Sequence, residues 1–174
     1  AKKSGIDVVY FVHEPLAALY GFFKEQVSKE LSIQAFEGKF VLVFDWGGGT
    51  LDLTLCQVKG TTLHQIRNVG DDNIGGDEFD IAIKQFISGK HASDNGINAF
   101  QQYETTESKN ALLQNCEGLK KNLSIKDDDD FILENYLTGD NLNERSKNLF
   151  ALMTRVELEE ITSHYVERGI NLIY

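Results

Sequence analysis

Short apolar runs, divided by polar stretches and turn residues, predict strands in the first half of the chain. Val8 to Val12 is a β-branched and aromatic run, which predicts a strand over Asp7 to His13 that is buried on both faces. Pro15, the only proline, follows this run. Its fixed φ and missing N–H suit the first turn of a helix, so we expect a helix directly after the strand.

A glycine cluster separates two further apolar runs. Phe40 to Phe44 precedes the cluster, and after it Leu51, Leu53 and Leu55 alternate with Asp, Thr and Cys. Two such runs about a glycine turn predict a β-hairpin. A third strand is expected from Thr62 to Val69, after a turn at Lys59 and Gly60.

In the middle of the chain, apolar residues recur at helical spacing. Phe79, Ile83 and Ile87 predict a helix that begins beside Gly75 and Gly76 and carries acidic residues in its first turn. A second helix is expected from Asn110 to Ser124, with four residues on its apolar face: Leu112, Cys116, Leu119 and Leu123.

The last third of the chain predicts another hairpin and a capped helix. Phe131 to Leu137 and Asn148 to Met153 are the expected strands, and we expect the run Asp127 to Asp130 to be a solvated connection that leads into them. Thr154 and Glu157 have the spacing of a capping box at the start of the final helix.

Composition and charge narrow the class of protein. The 174 residues contain 17 Lys and Arg against 27 Asp and Glu, and the resulting net charge of -10 opposes non-specific binding to nucleic acid or to an anionic membrane. No apolar run reaches the roughly 18 residues of a membrane helix. Cys56 and Cys116 lack metal-ligand spacing, so we expect a reducing, cytoplasmic location. The first residue is not Met, and we expect the chain to be part of a longer protein.

The segment from Asp45 to Asp52 is the sharpest chemical feature of the sequence. Its three central glycines let the backbone approach an anion, so that consecutive N–H groups can point at phosphate oxygens. It lacks the lysine of a P-loop and the spaced glycines of a dinucleotide fingerprint, and a purely structural hairpin turn is the alternative. Asp45, Asp52 and Thr50 flank the glycines, and because carboxylates repel phosphate, this grouping favours Mg²⁺ between them.

Two other segments have weaker signals. Gly75 and Gly76 precede a helix whose unpaired N–H groups favour an anion, but a simple turn with acidic residues that match the helix dipole is equally compatible. On the helix from Asn110 to Ser124, four side chains fall on one stripe, away from the apolar face: Glu117, Lys120, Lys121 and Ser124. An ordinary solvated face with an ion pair between Glu117 and Lys121 is the alternative.

Five segments in this order resemble the 70-kDa heat-shock chaperones, the DnaK family. They are His13-Glu14-Pro15-Leu16-Ala17-Ala18, Phe44 to Asp52, Asn73 to Asp80, Cys116 to Ser124 and Met153 to Glu160. Trp46, within the glycine segment, sets this sequence apart from the usual family pattern.

The resemblance implies an α/β fold, namely lobe II of an actin-like, ribonuclease-H-like ATPase domain with a mixed sheet, helices and a smaller α+β outer subdomain. It implies that residues 1–75 form an inner subdomain with the phosphate hairpin and that residues 76–162 form an outer subdomain that covers adenosine. Residues 163–174 would be a helix returning to the inner subdomain. Lobe I, with its own phosphate loop and catalytic lysine, would lie outside this chain.

The resemblance also implies roles for individual residues. Glu14, Asp45 and Thr50 would be catalytic. Glu14, Asp45 and Asp52 would hold Mg²⁺, mostly through water, and K⁺ is a second candidate cation. The residues implied to contact ATP or ADP hold its phosphates, flank it as a hinge, or bind its adenosine: Gly47, Gly48, Gly49, Thr50, Gly75, Gly76, Glu117, Lys120, Lys121 and Ser124. Glu117 and Lys120 would bond the ribose, Lys121 would lie against the adenine face, and Ser124 would bond its edge.

Three functions follow as hypotheses. The leading one is part of the ATPase domain of a stress-response chaperone, in which ATP hydrolysis is coupled to peptide binding. Its implied partners are peptide clients, a J-domain co-chaperone and a nucleotide-exchange factor, without nucleic acid or membrane. We expect the isolated chain to be inactive, because lobe I supplies half of the phosphate site. The alternatives are an actin-like sugar or acetate kinase and a non-catalytic interaction module.

Overall fold

A computed structural model describes residues 2–27 and 33–174. Five helices and five strands make up these ranges: α1 (Glu14–Val27), β1 (Phe40–Trp46), β2 (Leu51–Lys59), β3 (Thr62–Asp71), α2 (Gly76–Asp94), α3 (Thr106–Leu123), β4 (Asp128–Leu133), α4 (Glu144–Lys147), β5 (Leu149–Thr154) and α5 (Arg155–Asn171). Short 3₁₀ turns lie at Lys2–Ser4, Ile33–Phe36 and Phe100–Tyr103. None of the described helices is long and apolar enough to cross a membrane.

A three-stranded antiparallel sheet in the order β1-β2-β3 carries the glycine segment. Alternation along β2 separates its side chains between the two faces of this sheet. Cys56 and Val58 pack with α1, while Leu51 and Leu53 pack with Ile74 and with residues of α5. The predicted hairpin and third strand are therefore confirmed, and helices cover both faces of the central strand.

A second core lies between α2, α3 and an antiparallel β4–β5 ribbon. The predicted apolar face of α3 is buried in it, as are Ile83 and Ile87 of α2, whereas Phe79 packs against Trp46 and Tyr165 outside this core. Its fully buried members include Ile83, Ile87, Leu112, Leu123 and Met153. Helix α3 begins four residues earlier than predicted because Thr105 caps it, accepting a hydrogen bond of 3.0 Å from the Ser108 N–H.

The capping box predicted for the last helix is confirmed. The Thr154 N–H donates to Glu157 Oε2 at 2.8 Å, and the Glu157 N–H donates to Thr154 Oγ1 at 3.2 Å. Each side chain thus satisfies a backbone donor at the start of α5. The helix continues unbroken from residue 155 to residue 171, across the boundary at 162/163 that the resemblance implies.

The strand predicted over Asp7 to His13 is wrong. These residues form no ladder with any described strand, and their apolar side chains are exposed, with Val9 at 93% and Phe11 at 86%. A strand needs a neighbour that pairs with its backbone and covers its faces, and the described residues supply none. Both described sheets are purely antiparallel, so the expected mixed sheet does not form among the described residues.

The four-aspartate run was predicted to be a solvated connection, but three of its four residues belong to a strand. Asp128, Asp129 and Asp130 begin β4, where alternate side chains face solvent. Asp129 accepts hydrogen bonds from Lys126 at 2.8 Å and from Asn122 at 2.7 Å, and these contacts lower the pKa of its carboxyl group. The predicted hairpin forms with α4 in its connection, but its first strand ends at Leu133 and not at Leu137, which forms only an isolated bridge with Glu104.

Candidate functional site

The glycine turn between β1 and β2 is closed at its base and open at its tip. The Gly47 N–H donates to the Thr50 carbonyl at 2.8 Å, directly beyond the last ladder pair, Trp46 with Leu51. In the described part of the chain, the N–H groups of Gly48, Gly49 and Thr50 donate to no protein acceptor. Successive unpaired N–H groups in a tight turn are the kind of donor set that can bind an anion.

The carbonyl side of the same turn is fastened to the start of α2. The Gly47 carbonyl accepts a hydrogen bond from the Gly76 N–H at 3.1 Å, and the Gly48 carbonyl accepts one from the Asp77 N–H at 2.7 Å. A Cβ on Gly75 would lie 2.1 Å from the Gly48 carbonyl oxygen, so only glycine permits this approach. The turn is thus held from behind while its N–H groups stay free.

This docking corrects the prediction that the start of α2 offers free N–H groups to an anion. The donors of Gly76 and Asp77 are taken by the glycine turn, and the Gly75 N–H donates to Glu78 Oε2 at 2.9 Å. The structural role of Gly75 and Gly76 is close contact between two backbones.

Two carboxylates stand beside the turn. Asp45 and Asp52 are directly opposite each other in the β1–β2 ladder, and the Thr50 hydroxyl donates to Asp52 Oδ2 at 3.3 Å. Among the described residues, no three His, Cys, Asp or Glu side chains converge as a metal site. A pair of carboxylates fits Mg²⁺, which keeps most of its water shell and takes one or two protein carboxylates.

Lys120 brings α3 to the same place. Its Nζ donates to the Gly76 carbonyl at 2.9 Å and lies 2.8 Å from Asp80 Oδ1. A Cβ on Gly76 would be 3.3 Å from this Nζ and 3.7 Å from the Gly48 Cα. The structure therefore joins the glycine turn, the Gly75–Gly76 segment and Lys120, which are far apart in the sequence.

The other residues of the α3 stripe lie nearer to solvent. Lys121 pairs with Glu117 at 2.8 Å, and both side chains are more than half exposed. Their mutual hydrogen bond lowers the pKa of Glu117 and raises that of Lys121. The Ser124 hydroxyl donates to the Lys121 carbonyl at 2.7 Å, as it caps the helix.

Glu14 is not brought to the turn. It begins α1 and is exposed, and within the described ranges it forms no hydrogen bond or ion pair with the glycine segment. Helix α1 instead packs beside the sheet through Leu19 and Phe23, in a different core from the one beneath the turn.

Sequence reasoning gave no role in this site to two residues that organise it, Trp46 and Asp80. The Trp46 indole N–H donates to the Ile74 carbonyl, and its ring packs edge-on against Phe79 with centroids 5.8 Å apart. Asp80 is 7% exposed and pairs with Lys120. The sequence did contain a signal for Asp80, which lies on the buried stripe with Ile83 and Ile87, where a carboxylate needs a partner.

Comparison with known proteins gives a consistent result. The sequence model of the family described as Hsp70 protein matches residues 1–173. The chain is 28% identical over 169 residues to the chaperone protein DnaK of Nitrosopumilus maritimus, which covers 95% of this chain and 24% of that protein. It is 30% identical over 167 residues to the chaperone protein DnaK of Methanothermobacter thermautotrophicus, with 95% and 25% covered.

A plastid relative matches over a similar range. The stromal 70 kDa heat shock-related protein of Pisum sativum chloroplasts is 26% identical over 165 residues, which cover 95% of this chain and 21% of that protein. The chain thus spans about a quarter of the length of the curated relatives that it matches.

Proposed function

The chain belongs to the Hsp70 family, and from this premise we propose that it is part of the ATPase domain of a DnaK-like chaperone, binding ATP or ADP with Mg²⁺ between two lobes. The observation that carries the proposal is the glycine turn: the N–H groups of Gly48, Gly49 and Thr50 have no acceptor among the described residues, while the Gly47 and Gly48 carbonyls are bonded to α2. We propose that this surface holds the β and γ phosphates.

The net charge makes such a local device necessary. At -10 the chain repels phosphate at long range, so binding must come from fixed donors at short range. Backbone N–H groups held in place by hydrogen bonds behind them need no reorganisation when charge develops on a phosphoryl group. The Gly47 and Gly48 carbonyl contacts supply that rigidity.

Asp45, Asp52 and Thr50 are the proposed polar groups around the phosphates. Bound Mg²⁺ would neutralise phosphate charge. Asp45, exposed at the end of β1, would orient the attacking water, and Asp52 would aid binding of Mg²⁺ or K⁺. The Thr50 N–H would donate to a phosphate oxygen. Glu14 would hold Mg²⁺ through water in a whole protein in which α1 lies nearer the turn.

The α3 stripe is the proposed adenosine surface. Lys120, already beside Gly76, would bond the ribose together with Glu117, while Gly75 and Gly76 flank the nucleotide as a hinge. Lys121 would lie against the adenine and Ser124 would bond its edge. Lys121 and Glu117 are paired in the free chain, and because both side chains are more than half exposed, each retains groups that can contact adenosine.

The whole protein would couple hydrolysis to peptide clients, a J-domain co-chaperone and a nucleotide-exchange factor, and we propose a cytoplasmic location. The isolated chain would have negligible ATPase activity, because the second lobe supplies the remaining phosphate contacts. We also propose the division into residues 1–75, 76–162 and 163–174, which the unbroken helix α5 would link.

Isothermal titration of Mg–ADP into the whole protein tests this proposal. We expect saturable binding that weakens in Lys121→Ala, and no turnover by the isolated chain above that of an Asp45→Ala, Thr50→Ala control. Absence of ADP binding by the whole protein would overturn the proposal and favour a non-catalytic interaction module. Turnover by the isolated chain would contradict the two-lobe requirement.

A further inference from the structure

A buried carboxylate lies beneath the point where the glycine turn meets α2. The Asp80 side chain is 10% exposed, and its Oδ1 is 2.8 Å from Lys120 Nζ. Lys120 is the only ion-pair partner that the described residues give Asp80. Nζ also donates to the Gly76 carbonyl at 2.9 Å, so that α2 holds Lys120 at two points.

We propose that Asp80 is a positioning residue, which fixes Lys120 as a directed donor to an uncharged ribose hydroxyl. This inference rests on the proposed function, in which Lys120 contacts the nucleotide. It adds a reason why a lysine so close to a phosphate-binding turn would contact the sugar: its charge is paired with Asp80 and one of its donors is bonded to Gly76, both on α2.

The chemistry of the ammonium group supports this role. An ammonium has three N–H donors and no acceptor. Here the Gly76 carbonyl takes one of them, and Asp80 Oδ1 lies 2.8 Å from Nζ as its ion-pair partner. The carboxylate also offsets the positive charge in a largely buried place, where an unpaired cation would strongly attract phosphate. A neutralised ammonium that is held by Gly76 and still has N–H groups to donate suits a hydroxyl.

Among the described residues, Asp80 is the only carboxylate that forms an ion pair with Lys120. Cys116, one turn earlier on α3, is fully buried, and burial raises the pKa of its thiol to about 12, so it stays uncharged. A contribution to stability alone is a poor explanation for the pair, since a buried ion pair seldom stabilises a fold more than apolar side chains of the same size. The α2–α3 contact already has an apolar core, including Ile83 and Leu112.

The test compares ADP with 2′-deoxy-ADP and 3′-deoxy-ADP as ligands of the whole protein. We expect the wild type to bind ADP about 3- to 10-fold more tightly than at least one deoxy nucleotide, the effect of one hydrogen bond. Asp80→Asn keeps the shape of the side chain but removes its charge, and it should reduce this preference to the part that Glu117 supplies. Lys120→Met should do the same, and the double variant should lose nothing further, because the two residues act as one unit.

A matched control is Asp129→Asn, which breaks an exposed pair of the same 2.8 Å length with Lys126 outside the site. It should leave the ribose preference intact. If Asp80→Asn weakens ADP and both deoxy nucleotides equally, or if it keeps the preference while Lys120→Met loses it, the positioning role is wrong. If the wild type binds ADP without ribose preference, this inference and the proposed ribose contacts fail while the proposed phosphate site stands, whereas absence of any ADP binding overturns the proposed function as a whole.

Discussion

Gly75→Ala should separate the glycine turn from α2. The new Cβ would lie 2.1 Å from the Gly48 carbonyl oxygen, 2.4 Å from the Gly48 carbonyl carbon and 2.5 Å from the Gly49 carbonyl carbon. All three contacts are with backbone atoms, which cannot rotate away. Gly75 has φ -109° and ψ -172°, a conformation that alanine also adopts, so the clash is the whole effect.

The magnitude follows from what must break. Relieving the clash breaks the Gly76 to Gly47 and Asp77 to Gly48 hydrogen bonds, each contributing about 1 kcal/mol, and overpacking typically adds about 1 to 3 kcal/mol. We therefore expect the free energy of unfolding to fall by about 3 to 5 kcal/mol, which is a large part of the stability of an ordinary domain.

Urea denaturation followed by fluorescence of Trp46, the only tryptophan, measures this change. The matched control is Gly89→Ala in the same helix, where a Cβ would meet nothing within 4 Å. That variant should be more stable than the wild type by about 0.5 to 1 kcal/mol, the usual gain from alanine inside a helix. If Gly75→Ala is also neutral or stabilising, the close contact between the turn and α2 is wrong.

Three further predictions concern single contacts. Trp46→Phe keeps a ring against Phe79 but loses the donor to the Ile74 carbonyl. It should lower the free energy of unfolding by about 1 kcal/mol, measured by urea titration with circular dichroism. An unchanged midpoint would contradict the hydrogen bond. Hydrogen bonding from the Thr154 N–H, helped by Lys90, holds the pKa of Glu157 below its usual 4.5. The contribution of the Glu157 carboxylate to folding stability is therefore complete above about pH 4.5, and it is lost as the pH falls through the lowered pKa. Glu157→Gln should flatten that part of the stability profile, and an unaltered acid slope would refute the linkage. Cys116, whose thiol pKa burial raises to about 12, should react with a maleimide only at the rate of unfolding, and labelling that is faster than unfolding would show that the thiol is accessible.

The sequence predicted the elements whose signals are local. The β1–β2 hairpin follows from a glycine turn between two apolar runs, and α5 follows from the Thr154–Glu157 box, because each signal acts over a few residues. The run at Asp7 to His13 has an equally clear local signal, yet it forms no strand, since pairing requires a second strand and the described residues offer none.

The candidate site was predictable in its parts but not in its arrangement. The glycine turn and the α3 stripe follow from sequence, whereas the occupation of the α2 N–H groups by the Gly47 and Gly48 carbonyls is a contact between distant segments. The same holds for Lys120, which leaves its stripe partners and joins Asp80 and Gly76. A local sequence pattern does not predict which helix end a turn will contact.

The most direct test of the central claim is an amide NMR titration. Whole protein labelled with ¹⁵N-glycine would be titrated with Mg–ADP while the N–H signals of Gly48 and Gly49 are followed. If the turn holds phosphate, both signals should shift strongly, while Gly89, exposed on α2, should not. Saturable binding of Mg–ADP that leaves Gly48 and Gly49 unmoved would show that the phosphates lie elsewhere.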